Sequence, residues 1–255
     1  MFSTALGFKN KLVLIAGLLC GSALWAQDAN ADRIRALERQ MRDWGGLLRY
    51  GSENTELRPP APGEERVVFF GDQITEFWNR GKVPFVEGKP WLNRGIAGQT
   101  TDQMLIRFRQ DVISLHPKVV VILAGLNDIA GLHGPVAEET ILDNLISMSD
   151  LARANGIKVV MATVLPVAGT GREKLRNHIQ ELTELIHDHC AKSEAVFLDY
   201  YSAMASDGDF KKDLTADGVV PNDAGYRLMI GLAENAIKRT GAVVRGSSSG
   251  EALKR

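Results

Sequence analysis

The chain alternates continuous apolar runs with amphipathic segments from residue 66 onward, and this alternation is the strongest constraint on its fold. Val-, Ile- and Leu-rich runs joined by helices are typical of a parallel sheet that is buried on both faces. We therefore predict an α/β fold: a three-layer α/β/α sandwich with a parallel, five-stranded, flavodoxin-like sheet and a functional site at the carboxyl ends of its strands. The apolar runs are RVVFFG (66–71), WLNRGI (91–96), KVVVILAG (118–125), IKVVMATVLP (157–166) and AVFLDYY (195–201). The helical patterns fall near residues 101–115, 137–155, 172–191 and 223–240.

Residues 1–26 have the pattern of a signal peptide. Two lysines precede the apolar run LVLIAGLLCGSALWA, and Ala26 is a suitable last residue before cleavage. The run is short for a membrane span and the polar QDANADR follows it, so an uncleaved anchor is the less favoured alternative. Leu19 is too large for a good lipoprotein cleavage site before Cys20. The sequence therefore predicts a periplasmic or secreted bacterial protein, with no stable membrane insertion after signal cleavage.

Composition divides the rest of the chain into three parts. An amphipathic helix predicted over residues 31–50 and a Pro-rich linker make up residues 27–60. The alternating strands and helices occupy residues 61–241, a length that suits a single α/β domain. Residues 242–255 form a polar tail that we predict to be flexible.

Charge and cysteine content bound the functions that this chain can have. Lys and Arg number 30 against 31 Asp and Glu, a formal charge of -1, which gives no electrostatic basis for binding nucleic acid. After signal cleavage Cys190 is the only cysteine, so no intramolecular disulfide can form. No cluster of His, Asp and Cys has the spacing of metal ligands, and we predict no metal and no other cofactor.

Four short segments follow strand ends, where a parallel sheet carries its functional groups. Each alone is weak, because Gly, Asn and Asp after a strand are ordinary turn residues. Together and in this order, they make the chain resemble the SGNH or GDSL hydrolases, in particular their secreted bacterial lysophospholipase-like and acylhydrolase-like branch. The resemblance extends from about residue 31 to residue 240 and implies the fold of that family. The segments are GDQIT (71–75), RGIAGQTT (94–101), AGLNDIAG (124–131) and DGVVPNDAGY (217–226).

The resemblance implies a role for five positions. In that family the first segment reads Gly-Asp-Ser, with the Ser as nucleophile, and the last reads Asp-x-x-His-Pro, which supplies the general base and the carboxylate that orients it. Gly98 matches the Gly whose N–H serves the oxyanion hole, Asn127 matches the Asn whose side chain does the same, and Asp217 matches the orienting carboxylate. Gln73 stands at the nucleophile position and Val220 at the base position. Both groups that would make and break bonds are therefore replaced.

Loss of these two groups removes the family's mechanism. Acyl transfer by this design needs a hydroxyl nucleophile and a base within hydrogen-bond reach of it. Loss of a catalytic triad costs about six orders of magnitude in kcat in a serine protease. The oxyanion hole and substrate binding alone leave roughly 10³-fold catalysis over water. We therefore predict a secreted esterase-type domain that is inactive or severely impaired as an enzyme.

The implied parent reaction is hydrolysis of carboxylic esters. A small acyl ester, an acylated carbohydrate or a lipid-like molecule is the ligand class that the resemblance suggests. Two origins of the replacements stay open, a natural pseudoenzyme and an inactivated variant of an active parent.

An alternative interpretation is an active hydrolase that uses a non-standard base or water. Asp72, Asp128 and His133 are the candidate groups, although Asp72 is expected to cap a helix and His133 reads as a half-exposed loop histidine. Two further departures from the family, Leu126 and Leu132, are bulkier than expected. Because all the departures are expected around one pocket, we interpret them as the replacement of a site.

The replacements also predict local contacts. Gln73 should begin the helix after the first strand, where its amide oxygen can reach the N–H of Gly98 or the side-chain N–H of Asn127. Val220 removes the imidazole that would have donated to Asp217. We therefore expect an unpaired carboxylate at Asp217 with its pKa raised by desolvation.

Overall fold

The computed structural model describes residues 31–35, 38, 41–80, 85 and 88–242. The predicted signal peptide and all but the first residue of the predicted tail lie outside the described residues. Within the described part of the chain, no helix is both long and apolar enough to cross a bilayer.

The chain divides into two compact units, Met1–Trp44 and Gly45–Arg255. In the first unit, residues 31–35, 38, 41 and 42 are helical. The helix predicted over residues 31–50 is therefore too long, because residues 43–50 contain turns and bends. Gly46 has φ +69, a left-handed conformation that favours glycine and ends a helical pattern. The predicted boundaries at residues 26, 60 and 241 stay predictions.

The second unit contains the predicted parallel sheet. Its five strands are ordered β2-β1-β3-β4-β5, and every pairing is parallel. All residues of β1 and β3 are buried, as their unbroken apolar sequences require in a sheet covered on both faces. The predicted α/β sandwich with flavodoxin-like strand order is confirmed. The strands are β1 (Val67–Gly71), β2 (Trp91–Gly95), β3 (Val119–Leu123), β4 (Lys158–Ala162) and β5 (Val196–Leu198).

Helices form the two outer layers. Successive residues of β1 point to opposite faces, so that Val68 and Phe70 join one core cluster while Val67 and Phe69 join the other. The first cluster packs α3 (Thr101–Asp111), α5 (Glu138–Ala154) and α6 (Glu173–Lys192) on the sheet, and the second packs α8 (Asp223–Arg239) on the other face. The helices are α1 (Gly51–Glu56), α2 (Gln73–Glu76), α3 (Thr101–Asp111), α4 (Leu126–Ile129), α5 (Glu138–Ala154), α6 (Glu173–Lys192), α7 (Tyr200–Met204) and α8 (Asp223–Arg239). The described residues also include 3-10 turns Phe77–Asn79 and Ile113–Leu115 and a short antiparallel pair, β6 (Ala205–Ser206) and β7 (Asp209–Phe210).

The strand order reverses at β1, which pairs with both β2 and β3. The loops after these three strands therefore leave the sheet side by side, in the crevice where such folds bind ligands. Two glycines permit close packing here. A Cβ added to Gly71 would lie 2.2 Å from Thr75 Oγ1, and one added to Gly95 would lie 2.2 Å from the backbone nitrogen of Glu76. Glycine at both strand ends thus lets α2 pack directly onto β1 and β2.

The buried side chain of Arg107 in α3 joins several segments at this edge of the sheet by hydrogen bonds. Its side chain is completely buried, and burial lowers the pKa of the guanidinium to about 10, against the opposing effect of Asp111. It donates to the carbonyl oxygens of Gly71 at 3.0 Å and Arg94 at 2.9 Å. It also donates to Gln99 Oε1 at 2.5 Å and to the buried Asp111 carboxylate at 3.0 Å. One charged group therefore ties β1, β2 and the loop after β2 to α3.

Arg107→Met should lower the free energy of unfolding by about 3–5 kcal/mol, because it leaves the carboxylate of Asp111 buried without its charged partner. Arg109→Met is the matched control, since Arg109 is exposed on the same helix. The control should change stability by less than about 0.5 kcal/mol. Urea unfolding at pH 7 measures both variants, and equal effects of the two would contradict the assigned role of Arg107.

Candidate active site

The predicted nucleophile position lies at the start of α2, directly after β1. Asp72 precedes it and caps the helix, its Oδ1 accepting from the backbone N–H of Ile74 at 2.9 Å. The carbonyl of Ile74 accepts in turn from the hydroxyl of Tyr226 in α8 at 2.9 Å. Gln73 is thus held at the carboxyl end of the central strands, where the sequence predicted the site.

Gln73 forms three hydrogen bonds with the two predicted oxyanion donors. Its amide oxygen accepts from the backbone N–H of Gly98 at 3.1 Å and from Asn127 Nδ2 at 2.8 Å. Its Nε2 donates to Asn127 Oδ1 at 3.2 Å. Asn127 Nδ2 also donates to the carbonyl of Gln99 at 2.8 Å. Both contacts predicted for the Gln73 oxygen are therefore formed, and the two side-chain amides pair with each other.

The backbone at this site explains why its donors converge. Gly98 has φ +79, which turns its N–H toward α2 and would strain any residue with a side chain. Asn127 lies in the first turn of α4, after Gly125 with φ +117. A Cβ on Gly98 would lie 3.7 Å from Leu132 Cδ2, so the half-exposed Leu132 borders the site. Leu126 was expected at the pocket as well, but it packs in the first core cluster, with Val68 and Phe70.

Asp217 and Val220 lie in one turn before α8. Oδ1 of Asp217 accepts from the backbone N–H groups of Val219 at 2.9 Å and Val220 at 2.7 Å, with a longer contact to Thr215 Oγ1 at 3.4 Å. The Gly218 carbonyl accepts from the N–H of Ala168 at 2.8 Å and attaches this turn to the loop after β4. Among the described residues, all the hydrogen bonds that Asp217 accepts go to its Oδ1. Its Oδ2 can still accept a hydrogen bond.

The expectation of an unpaired carboxylate at Asp217 is wrong. Burial raises its pKa, but the hydrogen bonds from Val220, Val219 and Thr215 outweigh burial, and the pKa is lowered from its ordinary value. The carboxylate is mostly exposed and takes its partners from the backbone of its own turn. Val220 is half-buried against the second core cluster, and its carbonyl accepts from Thr215 Oγ1 at 2.6 Å.

Asp72 is the most perturbed acid at this edge of the sheet. Its carboxyl is completely buried, and burial raises its pKa to about 7, with the charge of Asp128 acting in the same direction. The bond from Ile74 opposes the shift. Its Oδ2 has no hydrogen-bond partner among the described residues. The carboxyl of Asp72 therefore stays protonated in the folded state well above the pH at which an exposed Asp ionises.

The other candidate bases are engaged elsewhere. Asp128 accepts from the backbone N–H and the hydroxyl of Thr101 at the start of α3, and burial raises its pKa against these bonds. His133 is exposed, with its Nδ1 3.2 Å from the hydroxyl of Thr100. In the described part of the chain, the side-chain hydrogen bonds of Asp128 go to Thr101 and not to Gln73, Gly98 or Asn127.

Asp72→Asn should stabilise the protein, and the gain should grow as the pH rises from about 4 to about 7. Over this window the unfolded carboxyl loses its proton while the folded one keeps it, so the stability of the wild type falls with rising pH. The Asn side chain retains an oxygen for the N–H of Ile74 and cannot ionise. Three pKa units correspond to a gain of up to roughly 4 kcal/mol above pH 7.

Urea unfolding at pH 4, 6 and 8 measures this gain. Asp188→Asn, at an exposed position of α6, is the control and should change stability little at any of the three pH values. A stability difference between Asp72→Asn and the wild type that is constant across pH would contradict the raised pKa of Asp72.

Comparisons with known proteins show the family of this chain. The model of the GDSL-like Lipase/Acylhydrolase family matches residues 69–228. A "putative acylhydrolase" from Bacteroides fragilis NCTC 9343 is 40% identical, with a TM-score of 0.73, and the match covers 77% of this chain and 98% of that one. A GDSL-like lipase from Bacteroides thetaiotaomicron VPI-5482 is 38% identical, with a TM-score of 0.72 and coverage of 76% and 98%.

A curated relative is more distant. The uncharacterized lipoprotein YqeF of Bacillus subtilis (strain 168) is 32% identical over 131 residues, which are 44% of this chain. The chain spans about half the length of that relative, 54%. The family model, by contrast, covers more than half of this chain and contains all four segments that carry the site, up to residue 228. The chain belongs to the GDSL-like lipase/acylhydrolase family.

Proposed function

We propose that this chain is a non-hydrolytic member of its family, located outside the cytoplasm, that retains an ester-binding site without the groups that cleave esters. The hydrogen bonding of Gln73 carries the proposal. Its amide oxygen accepts from Gly98 N–H and Asn127 Nδ2, the two donors that the family resemblance assigns to the oxyanion. The predicted signal peptide supports the location, as does the description of the curated relative as a lipoprotein.

The tethered amide competes with any substrate for these donors. An oxyanion hole acts when preorganised N–H groups are free to meet the oxygen that becomes negative in the transition state. Here a substrate carbonyl must first displace the Gln73 oxygen, at a cost of about 1 kcal/mol for each hydrogen bond lost. A displaced Gln73 leaves no hydroxyl to attack the carbonyl, and Val220 offers no base. Ligands therefore bind without turnover.

A second candidate function is hydrolysis by water that an acid activates. The pKa of Asp72, raised to about 7, favours this candidate because a base works best when its pKa is near the operating pH. Its burial opposes it, since the carboxyl has no exposed surface and its Oδ1 is held by Ile74. Asp128 and His133 are directed at Thr101 and Thr100 instead. The non-hydrolytic function is the better supported of the two.

The ligand class follows from the family and the rim of the site. Family members act on carboxylic esters, and this chain places the half-exposed Leu132 beside Gly98. We propose a small acyl ester, an acylated carbohydrate or a lipid-like molecule, with its acyl group against Leu132. No nucleic acid partner is proposed, because the chain has a formal charge of only -1.

Gln73→Ser combined with Val220→His should convert the chain into a measurable esterase. The donors Gly98 and Asn127 remain, and Oδ2 of Asp217 is available to orient an imidazole at position 220. Because nucleophile and base act as a unit, either substitution alone should restore little activity. The double variant should hydrolyse p-nitrophenyl acetate at least about tenfold faster than either single variant.

Fluorophosphonate labelling gives a second readout of the same experiment. Peptide mass spectrometry should find the label at position 73 of the double variant and no active-site label on the wild type. Adding Asn127→Ala to the double variant is the control and should remove most of the restored rate. A double variant that folds, as shown by circular dichroism, and stays inert would refute the assignment of positions 73 and 220. A labelled wild type would refute the non-hydrolytic function.

A further inference from the structure

Glu138, His178 and Glu181 converge on one point between α5 and α6. Each offers one ligand atom, and the three atoms lie within 4.8 Å of one another. Glu138 is the first residue of α5, and its carboxylate is almost fully buried. We propose that these three side chains bind a divalent transition-metal ion, with Zn²⁺ as the best match.

The three ligands lie on α5 and α6, which carry none of the residues assigned to the candidate active site. His178 and Glu181 are three residues apart on α6, so they share one face of that helix. The core residues Ile141 of α5 and Ile179 of α6 pack in the same cluster beside them, which fixes the two helices against each other. Glu138 and His178 are 40 residues apart in the sequence, and the packing of the two helices brings them together.

The contact between Glu138 and His178 is poorly explained as a simple ion pair. His178 Nδ1 lies 2.5 Å from Glu138 Oε1, a separation at which a hydrogen bond is expected. The buried Nδ1 nevertheless makes no hydrogen bond with good geometry among the described residues. A cation bound between these two atoms would coordinate both and would move them apart, to the separation of about 3.3 Å that two ligands of a tetrahedral ion have. A metal ion would use both lone pairs and remove the unsatisfied contact.

The chemistry of the ligands selects the metal. One imidazole nitrogen with two carboxylate oxygens is a ligand set that Zn²⁺ accepts, whereas Mg²⁺ prefers oxygen ligands alone. Two carboxylates also balance the charge of a divalent ion. Three protein ligands leave one coordination position of a tetrahedral ion open.

A cavity of about 730 Å³ adjoins two of the three proposed ligands. Glu138 and His178 line it, together with the loop after α4 and the cationic side chains of Arg172 and Lys174. The ligand that completes the coordination is therefore water or an anion that these cations attract. The sequence predicted no metal because its spacing criterion detects ligands close in sequence, whereas Glu138 lies far from His178 and Glu181.

Isothermal titration of the purified, chelator-treated full chain with ZnCl₂ tests the proposal. We expect one Zn²⁺ per chain, a rise in Tm with Zn²⁺ and no comparable response to MgCl₂. His178→Ala and Glu181→Gln should each weaken Zn²⁺ binding at least about tenfold. Because Glu181 is exposed, its substitution tests the site without disturbing the core.

His187→Ala is the matched control, since His187 is an exposed histidine of the same helix. It should leave the affinity for Zn²⁺ and the stoichiometry unchanged. The proposal is overturned if the wild type does not bind Zn²⁺, if His178→Ala and Glu181→Gln bind it like the wild type, or if His187→Ala weakens binding as much as they do.

Discussion

A buried guanidinium holds together the edge of the sheet that carries the candidate active site. Arg107 donates to backbone carbonyls near the ends of β1 and β2 and to the side chain of Gln99, while Asp111 balances its charge. A buried charge is stable only when its hydrogen-bonding groups have partners. The acceptors of Arg107 therefore have little freedom to move away from its guanidinium. The start of α2, with Gln73, and the loop after β2, with Gly98, follow directly on these strand ends and are positioned by the same bonds.

The two proposed oxyanion donors have a fixed geometry, and both of them bond to a side chain of the protein itself. The N–H of Gly98 and the amide of Asn127 meet the oxygen of Gln73, a neutral acceptor attached to the protein at the position of the family nucleophile. The same arrangement that would stabilise negative charge in an esterase here stabilises the resting side chain. Asp217 likewise accepts hydrogen bonds from the backbone N–H groups of its own turn, at Val219 and Val220.

The fold was predictable because a strand whose residues are all Val, Ile or Leu, such as 119–123, is stable only when both faces of its sheet are buried. The contacts of Gln73 were predictable because a resemblance supplied its neighbours. Asp217 was mispredicted as unpaired because side-chain identity does not show how many backbone N–H groups a turn directs at a carboxylate; the groups that bond it belong to its own ADGVVP turn, where any partners were to be sought. Arg107 was not singled out, since an arginine in an amphipathic helix normally reads as exposed. The cluster proposed to bind a metal was not visible in the sequence, because Glu138 and His178 are adjacent only in space.

Turnover of p-nitrophenyl acetate by the wild type, compared with Asn127→Ala, tests the central claim most directly. If Gln73 occupies the oxyanion donors and no nucleophile or base remains, the purified wild type hydrolyses the ester no faster than buffer, and Asn127→Ala changes nothing. A rate above the buffer background that persists through purification and disappears in Asn127→Ala would contradict the account, because it would show that this site stabilises an oxyanion during catalysis.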